Sequence, residues 1–527
     1  MVAVTMAVAM YVAWMALDQP FPGIDDANIF LRYGNNVVEG AGIVYNRGGE
    51  RVEGYSSVLW MIVVTAAVAV AHQPEWLLLS VSVALVSAAL VYLWRFVDRG
   101  QRISWSGILL LAWVIGSPGF VIWNSLTLMD TALWTSLLTV TTVALLSQAP
   151  DAVLCVFVCL LPLARPEGMA WSVMFVLLAF LQSAAQRGLG PAWRRICPLL
   201  LAFGGVMVAL TAFRMLYFGY PLPNTYYAKV SPDLLYNLRW GAIYLMGFLL
   251  FNKHAVLAIA PLIAGILLNL RWLLDRIARP GLRGHDEARL QYLLASPIGL
   301  TGLLLPMLTG GDHFALFRFY QPIWAVLALP ALSLLVRLRA EIEAAIPKGV
   351  RAGVAVVSAV TLLVFPYIDA GNRGQVSKLW VDFELAAEGR ELGRRLNAMF
   401  GEALPSVGVI AAGGVAYTYR GEVVDLMGLN NVAMGHSTGN RYGLKNHAAF
   451  SLDVLLARKP DLIVHGWDSN LNDWMCDERF LQSYRFVDIS DGRYHIQSYA
   501  EDDYVSVLLA RGYRVTTPAG GMVCEGM

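Results

Sequence analysis

The stretch 76–95, WLLLSVSVALVSAALVYLWR, carries no charged residue before Arg95 and is long enough to cross the hydrocarbon core of a bilayer as one helix. It is typical of the chain, because 57% of the 527 residues are hydrophobic and 15% are charged, against roughly 25% charged residues in ordinary soluble domains. The other candidate spans are 1–17, 104–122, 129–147, 152–164, 169–185, 198–217, 255–272, 292–309, 319–337 and 352–368. The sequence therefore predicts a polytopic α-helical membrane protein with about eleven spans.

Two shorter apolar stretches, 57–71 and 237–251, decide the topology. If both lie in the membrane interface without crossing, the basic loops all fall on one side, which the positive-inside rule identifies as the cytoplasm. The residues concerned are Arg95, Arg99, Arg102, Arg187, Arg194, Arg195, Arg271, Arg276, Arg279, Arg283, Arg289, Arg337, Arg339, Lys348 and Arg351. The C-terminal part is then extracytoplasmic. The stretch 1–17 lacks the basic start and the cleavage site of a signal peptide, so we expect a retained signal-anchor helix.

The polar part of the chain after residue 368 predicts a second domain. Its elements are strands at 406–412 and 460–465 and helices at 385–400 and 452–459, each helix leading into one of the strands. We therefore expect a transmembrane module over 1–368 and a small extracytoplasmic α/β domain over 369–527. Cys476 and Cys524 lie in this domain and are candidates for a disulfide if it faces an oxidising compartment.

Two adjacent carboxylates follow the first predicted span, in the stretch 22–30, PGIDDANIF. The apolar residues after them recur with helical spacing and predict a short amphipathic helix on the membrane surface. Asp25 or Asp26 would then cap its N-terminus, where free backbone N–H groups favour an aspartate. Two readings stay open: both residues serve only the helix end, or one caps it while the other faces a substrate as a general base.

Three further polar loops share the external face with the carboxylate pair in this topology. Polar groups at membrane depth are costly and usually mark a functional site, so we expect these loops to meet at the mouth of a cavity. Arg165 either forms an ion pair with Glu167 or binds an anionic head group. Asn224 and Lys229 are suited to a sugar hydroxyl or a phosphate. The third loop offers Asp312, His313 and Arg318.

Composition excludes some partners and leaves others open. The net charge is +1 without a basic run, which gives no indication of nucleic-acid binding. The glycine-rich stretch 408–414 lacks both common nucleotide-binding patterns. Asp25, Asp26, Asp312 and His313 are groups that suit Mg²⁺ or Mn²⁺, but their spacing does not require a metal, and we assign no metal ligand and no required cofactor.

Several of these motifs together resemble a bacterial family of GT-C membrane glycosyltransferases. The matching stretches are 24–33 (IDDANIFLRY), 42–46 (GIVYN), 51–60 (RVEGYSSVLW), 165–168 (RPEG), 221–229 (PLPNTYYAK), 310–312 (GGD) with 318–319 (RF), and 424–430 (VDLMGLN). The family includes arabinofuranosyltransferases of mycobacterial cell-wall arabinan and a relative that modifies type IV pilins. The mycobacterial arabinan enzyme is longer than this chain.

The resemblance implies a multi-pass protein of the bacterial inner membrane with a periplasmic C-terminal domain. It further implies transfer of a sugar, here D-arabinofuranose, from a decaprenyl- or undecaprenyl-type phosphate donor to a glycan or pilin acceptor, with an aspartate of the first loop essential. The residues expected to bind the donor phosphate or substrate are Arg32, Glu53, Tyr55, Arg165, Glu167, Asn224, Tyr226, Lys229, Asp312, His313 and Arg318.

Two other classes of protein remain open. A transporter or flippase of a lipid-linked sugar would also combine many spans with polar residues at membrane depth, although no internal repeat is visible in the sequence. A receptor or scaffold would use the membrane part only as an anchor, and alanine at Asp26 would then be harmless.

Overall fold

The computed structural model describes residues 22–98, 105–282, 286–437, 449–464 and 473–517. The predicted span 1–17 and the residues Arg99, Arg102, Arg283 and Cys524 lie outside these ranges. The described chain is mostly helical and ends in a region with a small sheet, so the coarse prediction of a helical region followed by an α/β region is confirmed.

Helices account for most of the described chain up to residue 368. They are α1 (Asp25–Val38), α2 (Val58–Val70), α3 (Pro74–Asp98), α4 (Trp105–Ile115), α5 (Pro118–Trp123), α6 (Thr131–Leu146), α7 (Asp151–Ala164), α8 (Gly168–Arg187), α9 (Leu189–Tyr217), α10 (Asn224–Lys229), α11 (Leu234–Phe251), α12 (Val256–Leu267), α13 (Leu270–Ala278), α14 (Asp286–Leu308), α15 (Trp324–Arg337), α16 (Arg339–Ala345) and α17 (Lys348–Ile368). Short 3₁₀ turns lie at Lys253–Ala255 and Arg318–Tyr320.

Within the described residues, 7 helical segments are long and apolar enough to cross a membrane. They are α3, α8, α9, α11, α14, α17 and the continuous segment Lys253–Ala278. Five other apolar helices, α2, α4, α6, α7 and α15, are shorter. This is the composition of a multi-pass membrane protein, while the number of eleven spans stays a prediction.

Helix α11 corresponds to the stretch 237–251 and is one of the seven, whereas the sequence favoured an interfacial position for it. Gly241 packs on Met307 at the end of α14, Gly247 faces Phe317, and Phe251 lies against Gly371. The interfacial position of α11 stays a prediction.

Helices α1 and α2 pack on each other and form a layer. Gly34 of α1 faces Val64 and Val68 of α2, and the indole N–H of Trp60 donates a hydrogen bond to the backbone oxygen of Leu128 at 3.1 Å. Ile24 is the N-cap of α1 and no side chain caps the helix. The prediction that Asp25 or Asp26 caps α1 is therefore wrong, because both lie inside its first turn and their carboxylates have other partners.

The C-terminal region begins with a long helix and contains a six-stranded sheet. Its helices are α18 (Ala370–Phe400), α19 (Gly414–Thr418), α20 (Val432–Gly435), α21 (Leu452–Arg458), α22 (Glu478–Leu481) and α23 (Asp502–Ala510), with a 3₁₀ turn at Asp473–Cys476. Its strands are β1 (Val407–Val409), β2 (Val423–Asp425), β3 (Leu462–Val464), β4 (Tyr484–Ser490), β5 (His495–Glu501) and β6 (Arg514–Thr516). The strand order is β2-β1-β3-β5-β4-β6, parallel over the first three and antiparallel over the rest.

The predicted elements of this region are found with shifted bounds. The two predicted strands are β1 and β3, and the two predicted helices are the second half of α18 and α21. Cys476 is disulfide-bonded, whereas Cys155, Cys159 and Cys197 in α7 and α9 are free.

The C-terminal region packs directly on the first loop. Arg390 of α18 donates hydrogen bonds to Asn28 and to Glu75, both at 2.6 Å, and is buried. Tyr33 and Tyr45 belong to the same hydrophobic cluster as strand β1. Helix α1 thus packs both on α2 and on the C-terminal region.

Candidate active site

A cavity of about 370 Å³ lies where the first loop, the ends of several bundle helices and the C-terminal region meet. Its polar lining includes eight of the residues named from the sequence: Asp26, Tyr55, Arg165, Glu167, Tyr226, Lys229, Asp312 and Arg318. Much of the remaining lining is apolar, from Met129, Trp134, Leu138, Met169, Trp171, Leu222, Leu305, Phe319 and Ile323. The cavity thus combines a cluster of charges with an apolar wall, which suits an amphiphilic ligand that has an ionic group.

Asp26 lies between two cations. Its carboxylate oxygen Oδ2 is 3.5 Å from Nζ of Lys229 and 3.6 Å from Nη1 of Arg318. Burial acts to raise the pKa of Asp26, but the charges of Lys229 and Arg318 outweigh burial and lower the pKa below its usual value of 3.8. Asp26 is therefore ionised at neutral pH and faces the cavity.

Asp312 fixes the second cation from the opposite side. Its Oδ2 lies 2.6 Å from Nε of Arg318, and both side chains are buried. Although burial acts to raise the pKa of Asp312, the guanidinium of Arg318 keeps it well below its usual range. His313 lies beside this pair, with Nδ1 3.2 Å from Asp312, and is not part of the cavity lining.

The turn before Arg318 is strained. Leu316 and Phe317 both adopt left-handed backbone conformations, with φ of 60° and 55°, which are uncommon for residues with a side chain. The side-chain amide of Gln321 donates a 2.5 Å hydrogen bond to the backbone oxygen of Leu316 and holds the turn in place. Strain of this kind concentrates at functional sites, where it orients a particular group. Here that group is the guanidinium of Arg318.

Arg165 is held by two carboxylates. Its Nη1 is 3.1 Å from both oxygens of Asp130, and its Nε is 2.5 Å from Glu167. The ion pair with Glu167, one of the two readings of the sequence, is thus present, and both side chains also line the cavity. Leu128, just before Asp130, has a left-handed φ of 58°.

Asp130 is not among the site residues predicted from the sequence, although the sequence contains an indication of its role. It is the only charged residue between Arg102 and Asp151, in the middle of an otherwise apolar region. A lone carboxylate at such a position requires a buried partner. Its fully buried side chain finds that partner in Arg165.

Asp25 points away from the cavity. The backbone N–H groups of Gly413 and Gly414, in the C-terminal region, donate hydrogen bonds of 2.8 and 2.7 Å to its two carboxylate oxygens. Burial raises the pKa of Asp25 to about 7, against the opposing effect of these two N–H groups. The glycine-rich stretch that lacks a nucleotide pattern therefore holds a carboxylate of the chain itself.

Arg32 and Glu53, which were expected to bind the donor, make other contacts. The guanidinium of Arg32 donates hydrogen bonds to the backbone oxygens of Tyr45 and Tyr419 at 2.8 and 2.9 Å. Glu53 accepts two hydrogen bonds from Arg214 at 2.8 and 3.0 Å, and both side chains are buried. These contacts account for Arg32 and Glu53 as structural residues outside the cavity lining.

Asn224 connects the bundle to the C-terminal region. Its side-chain amide donates hydrogen bonds to the backbone oxygens of Gly428, Leu429 and Asn431 at 2.7, 3.1 and 3.2 Å. Leu429 in turn lines the cavity. Asn224 therefore places a residue of the C-terminal region at the cavity instead of facing it itself.

A second carboxylate not named from the sequence lies near the site. Burial, together with the negative charges of Asp26 and Asp25, raises the pKa of Asp382 in α18 to about 7. Among the described residues, no group of three or more histidine, cysteine or acidic side chains is placed to hold a metal ion.

Comparison with known proteins gives no relative from which a function could be carried over. No protein-family model matches the chain, and no curated protein matches it significantly.

Proposed function

We propose that the protein is a GT-C type membrane glycosyltransferase that transfers a sugar, D-arabinofuranose, from a polyprenyl-phosphate donor to a glycan or pilin acceptor at the outer face of the bacterial inner membrane. The observation that carries the proposal is the position of Asp26, an ionised carboxylate between Lys229 and Arg318 in a cavity with an otherwise largely apolar wall. The sugar and the acceptor classes rest on the motif resemblance.

The cations of the cavity fit the donor phosphate. Arg318 and Lys229 would bind the phosphate through charge-assisted hydrogen bonds and stabilise the negative charge that develops as it leaves. Arg165, whose guanidinium lies near the ring of Phe319 as that of Arg318 does, would add to this stabilisation, held in place by Asp130 and Glu167. The apolar wall would receive the first isoprenoid units of the lipid.

Asp26 would act as the base. The acceptor hydroxyl oxygen forms a bond to the anomeric carbon, the bond from that carbon to the phosphate oxygen breaks, and the polyprenyl phosphate leaves with the bonding electrons. The hydroxyl proton passes to Asp26. Lys229 and Arg318 hold Asp26 ionised, and their engagement by the donor phosphate would make it a stronger base.

The test is transfer by purified full-length protein from a short-chain polyprenyl-phosphate arabinofuranose to a panel of glycan and pilin acceptors. We expect a product that requires both donor and acceptor and that is lost in Asp26→Asn. Asp503→Asn, which changes an exposed carboxylate on α23, is the matched control. Absence of transfer with every donor and acceptor, together with passage of the lipid-linked sugar across vesicles, would replace the proposal with a flippase.

A further inference from the structure

The contact between Asp25 and the C-terminal region lies next to the proposed base. Asp25 and Asp26 are adjacent in the first turn of α1, where neighbouring side chains point about 100° apart. Asp25 faces the glycine pair and Asp26 faces the cavity. Holding the backbone and carboxylate of Asp25 against the glycine pair therefore also fixes the direction in which the Cα–Cβ bond of Asp26 points.

The glycine pair is shaped for this contact. A Cβ at position 413 would overlap the backbone oxygen of Asp25, and a Cβ at position 414 would lie 2.5 Å from the backbone oxygen of Ala386 in α18. Only glycine at both positions allows the two N–H groups to approach the carboxylate while the turn packs against α18. The close fit is with the backbone of the first loop as well as with its side chain.

We propose that Asp25 is a positioning residue, through which the Gly413–Gly414 turn of the C-terminal region holds Asp26 against Lys229 and Arg318. This inference rests on the proposed function, and it makes the C-terminal region part of the catalytic apparatus. Asp25 itself does not touch the substrate. Breaking the contact from either side, at the carboxylate or at the glycines, has the same consequence for Asp26.

The first measurement is amide hydrogen exchange of full-length protein, which needs no ligand. Asp25→Asn replaces one acceptor oxygen with an NH₂ group, and loss of that hydrogen bond is expected to speed exchange at position 413 or 414 several-fold, up to about tenfold. Gly374→Ala is the control, because a Cβ at that position in α18 meets open space. Exchange in Asp25→Asn that equals the wild-type rate would overturn the anchoring role.

The second measurement is a binding cycle with polyprenyl monophosphate as the probe. Asp26→Asn removes a negative charge beside two cations and tightens binding of the probe in the wild-type background. In the Gly413→Ala background, where Asp26 is displaced from those cations, the same change has a smaller effect. Equal effects in both backgrounds would overturn the inference.

Transfer kinetics separate positioning from general loss of structure. Gly413→Ala and Asp25→Asn are both expected to lower kcat by tenfold or more. Because each displaces Asp26 from Lys229 and Arg318, each should also strengthen binding of polyprenyl monophosphate, by less than Asp26→Asn does, whereas general loss of structure would weaken it. Loss of transfer in Asp25→Asn with full kcat in Gly413→Ala would overturn positioning and make Asp25 itself the reacting group. If wild-type protein neither transfers sugar nor binds the probe, the proposed function fails, and the exchange rates alone decide whether Asp25 anchors the turn.

Discussion

Replacing Asp26 with asparagine should slow sugar transfer and at the same time strengthen binding of the lipid phosphate. The substitution keeps the size of the side chain and removes its charge. Lys229 and Arg318, at 3.5 and 3.6 Å, then lose a competing carboxylate and are free to interact with a phosphate. The two effects have opposite signs because, in the proposed mechanism, Asp26 competes with the donor phosphate for these cations and also accepts the proton of the acceptor hydroxyl.

Both magnitudes follow from the geometry. A phosphate bound on the far side of the same cations would lie about two ion-pair distances, roughly 7 Å, from Asp26, and at an effective dielectric constant of about 20 their repulsion is about 2 kcal/mol. Removing it corresponds to more than about tenfold in affinity. Loss of a general base typically lowers the rate by about 10²–10⁴-fold.

The assay pairs equilibrium binding of a fluorescent polyprenyl phosphate with single-turnover transfer on the same preparations. Asp503→Asn should change neither quantity, because its carboxylate is exposed and remote from the cavity lining. Asp26→Asn that keeps more than about a tenth of the wild-type rate would refute Asp26 as the base. Weaker binding of the lipid phosphate would refute the arrangement of Asp26 as a competitor for the cations.

Three further predictions concern stability and topology. Burial raises the pKa of Asp25 in the folded protein from 3.8 to about 7, so the contribution of Asp25 to stability is full below about pH 4 and is lost as the pH rises through about 7. Asp25→Asn should therefore reduce the fall in Tm between pH 5 and pH 8, and an unchanged fall would contradict this prediction. Glu53→Gln leaves the buried guanidinium of Arg214 without its ionic partner and should lower the free energy of unfolding by about 3–5 kcal/mol. Glu391→Gln, at an exposed ion pair, should lower it by less than about 1 kcal/mol, and equal losses in thermal unfolding would contradict the role of the buried pair. A membrane-impermeant thiol reagent applied to the outer face should label Lys253→Cys and not Arg279→Cys, and the reverse pattern would mean that α11 crosses the membrane.

Sequence patterns were sufficient for features that depend on local composition. Apolar stretches marked most of the long helices, and the loops between them were assigned to one face by their neighbouring arginines. Asp26, Lys229, Asp312 and Arg318 lie in three of those loops, and the structure brings all four to one cavity. Their meeting follows from the chain crossing back and forth between two ends of a bundle.

Features that depend on distant partners were not predictable in this way. Gly413 and Gly414 are 388 and 389 residues from Asp25, and backbone oxygens bound by Arg32 and Asn224 are 387 and 204 residues away. A buried guanidinium that binds backbone oxygens has the same sequence signal as one that binds a phosphate. The motif around Arg32 therefore indicates that this residue is constrained, without indicating whether a backbone oxygen or a phosphate binds its guanidinium.

The hairpin of β4 and β5 is a different kind of omission, because its signal is local. Asp491-Gly492 is a strong turn dipeptide between two alternating segments. The side chain of Asp491 accepts hydrogen bonds from the N–H groups of Arg493 and Tyr494 at 2.8 and 2.6 Å, which closes the turn. The strands predicted from the alternation of helices and strands do not include β4 and β5.

In the proposed mechanism, the ion pairs of the cavity would also set the order in which the donor and the acceptor bind productively. Before the donor binds, Lys229 and Arg318 hold Asp26 ionised and make it a weak base. A donor phosphate engages the same two cations, so their hold on Asp26 weakens while burial, the largest influence on its pKa, still acts to raise it. An acceptor that binds before the donor finds Asp26 a weak base and has no anomeric carbon to attack. An acceptor that binds after the donor finds Asp26 a stronger base beside the anomeric carbon of the donor sugar. Proton transfer is thereby tied to the presence of the leaving phosphate, which favours a sequence of donor first and acceptor second.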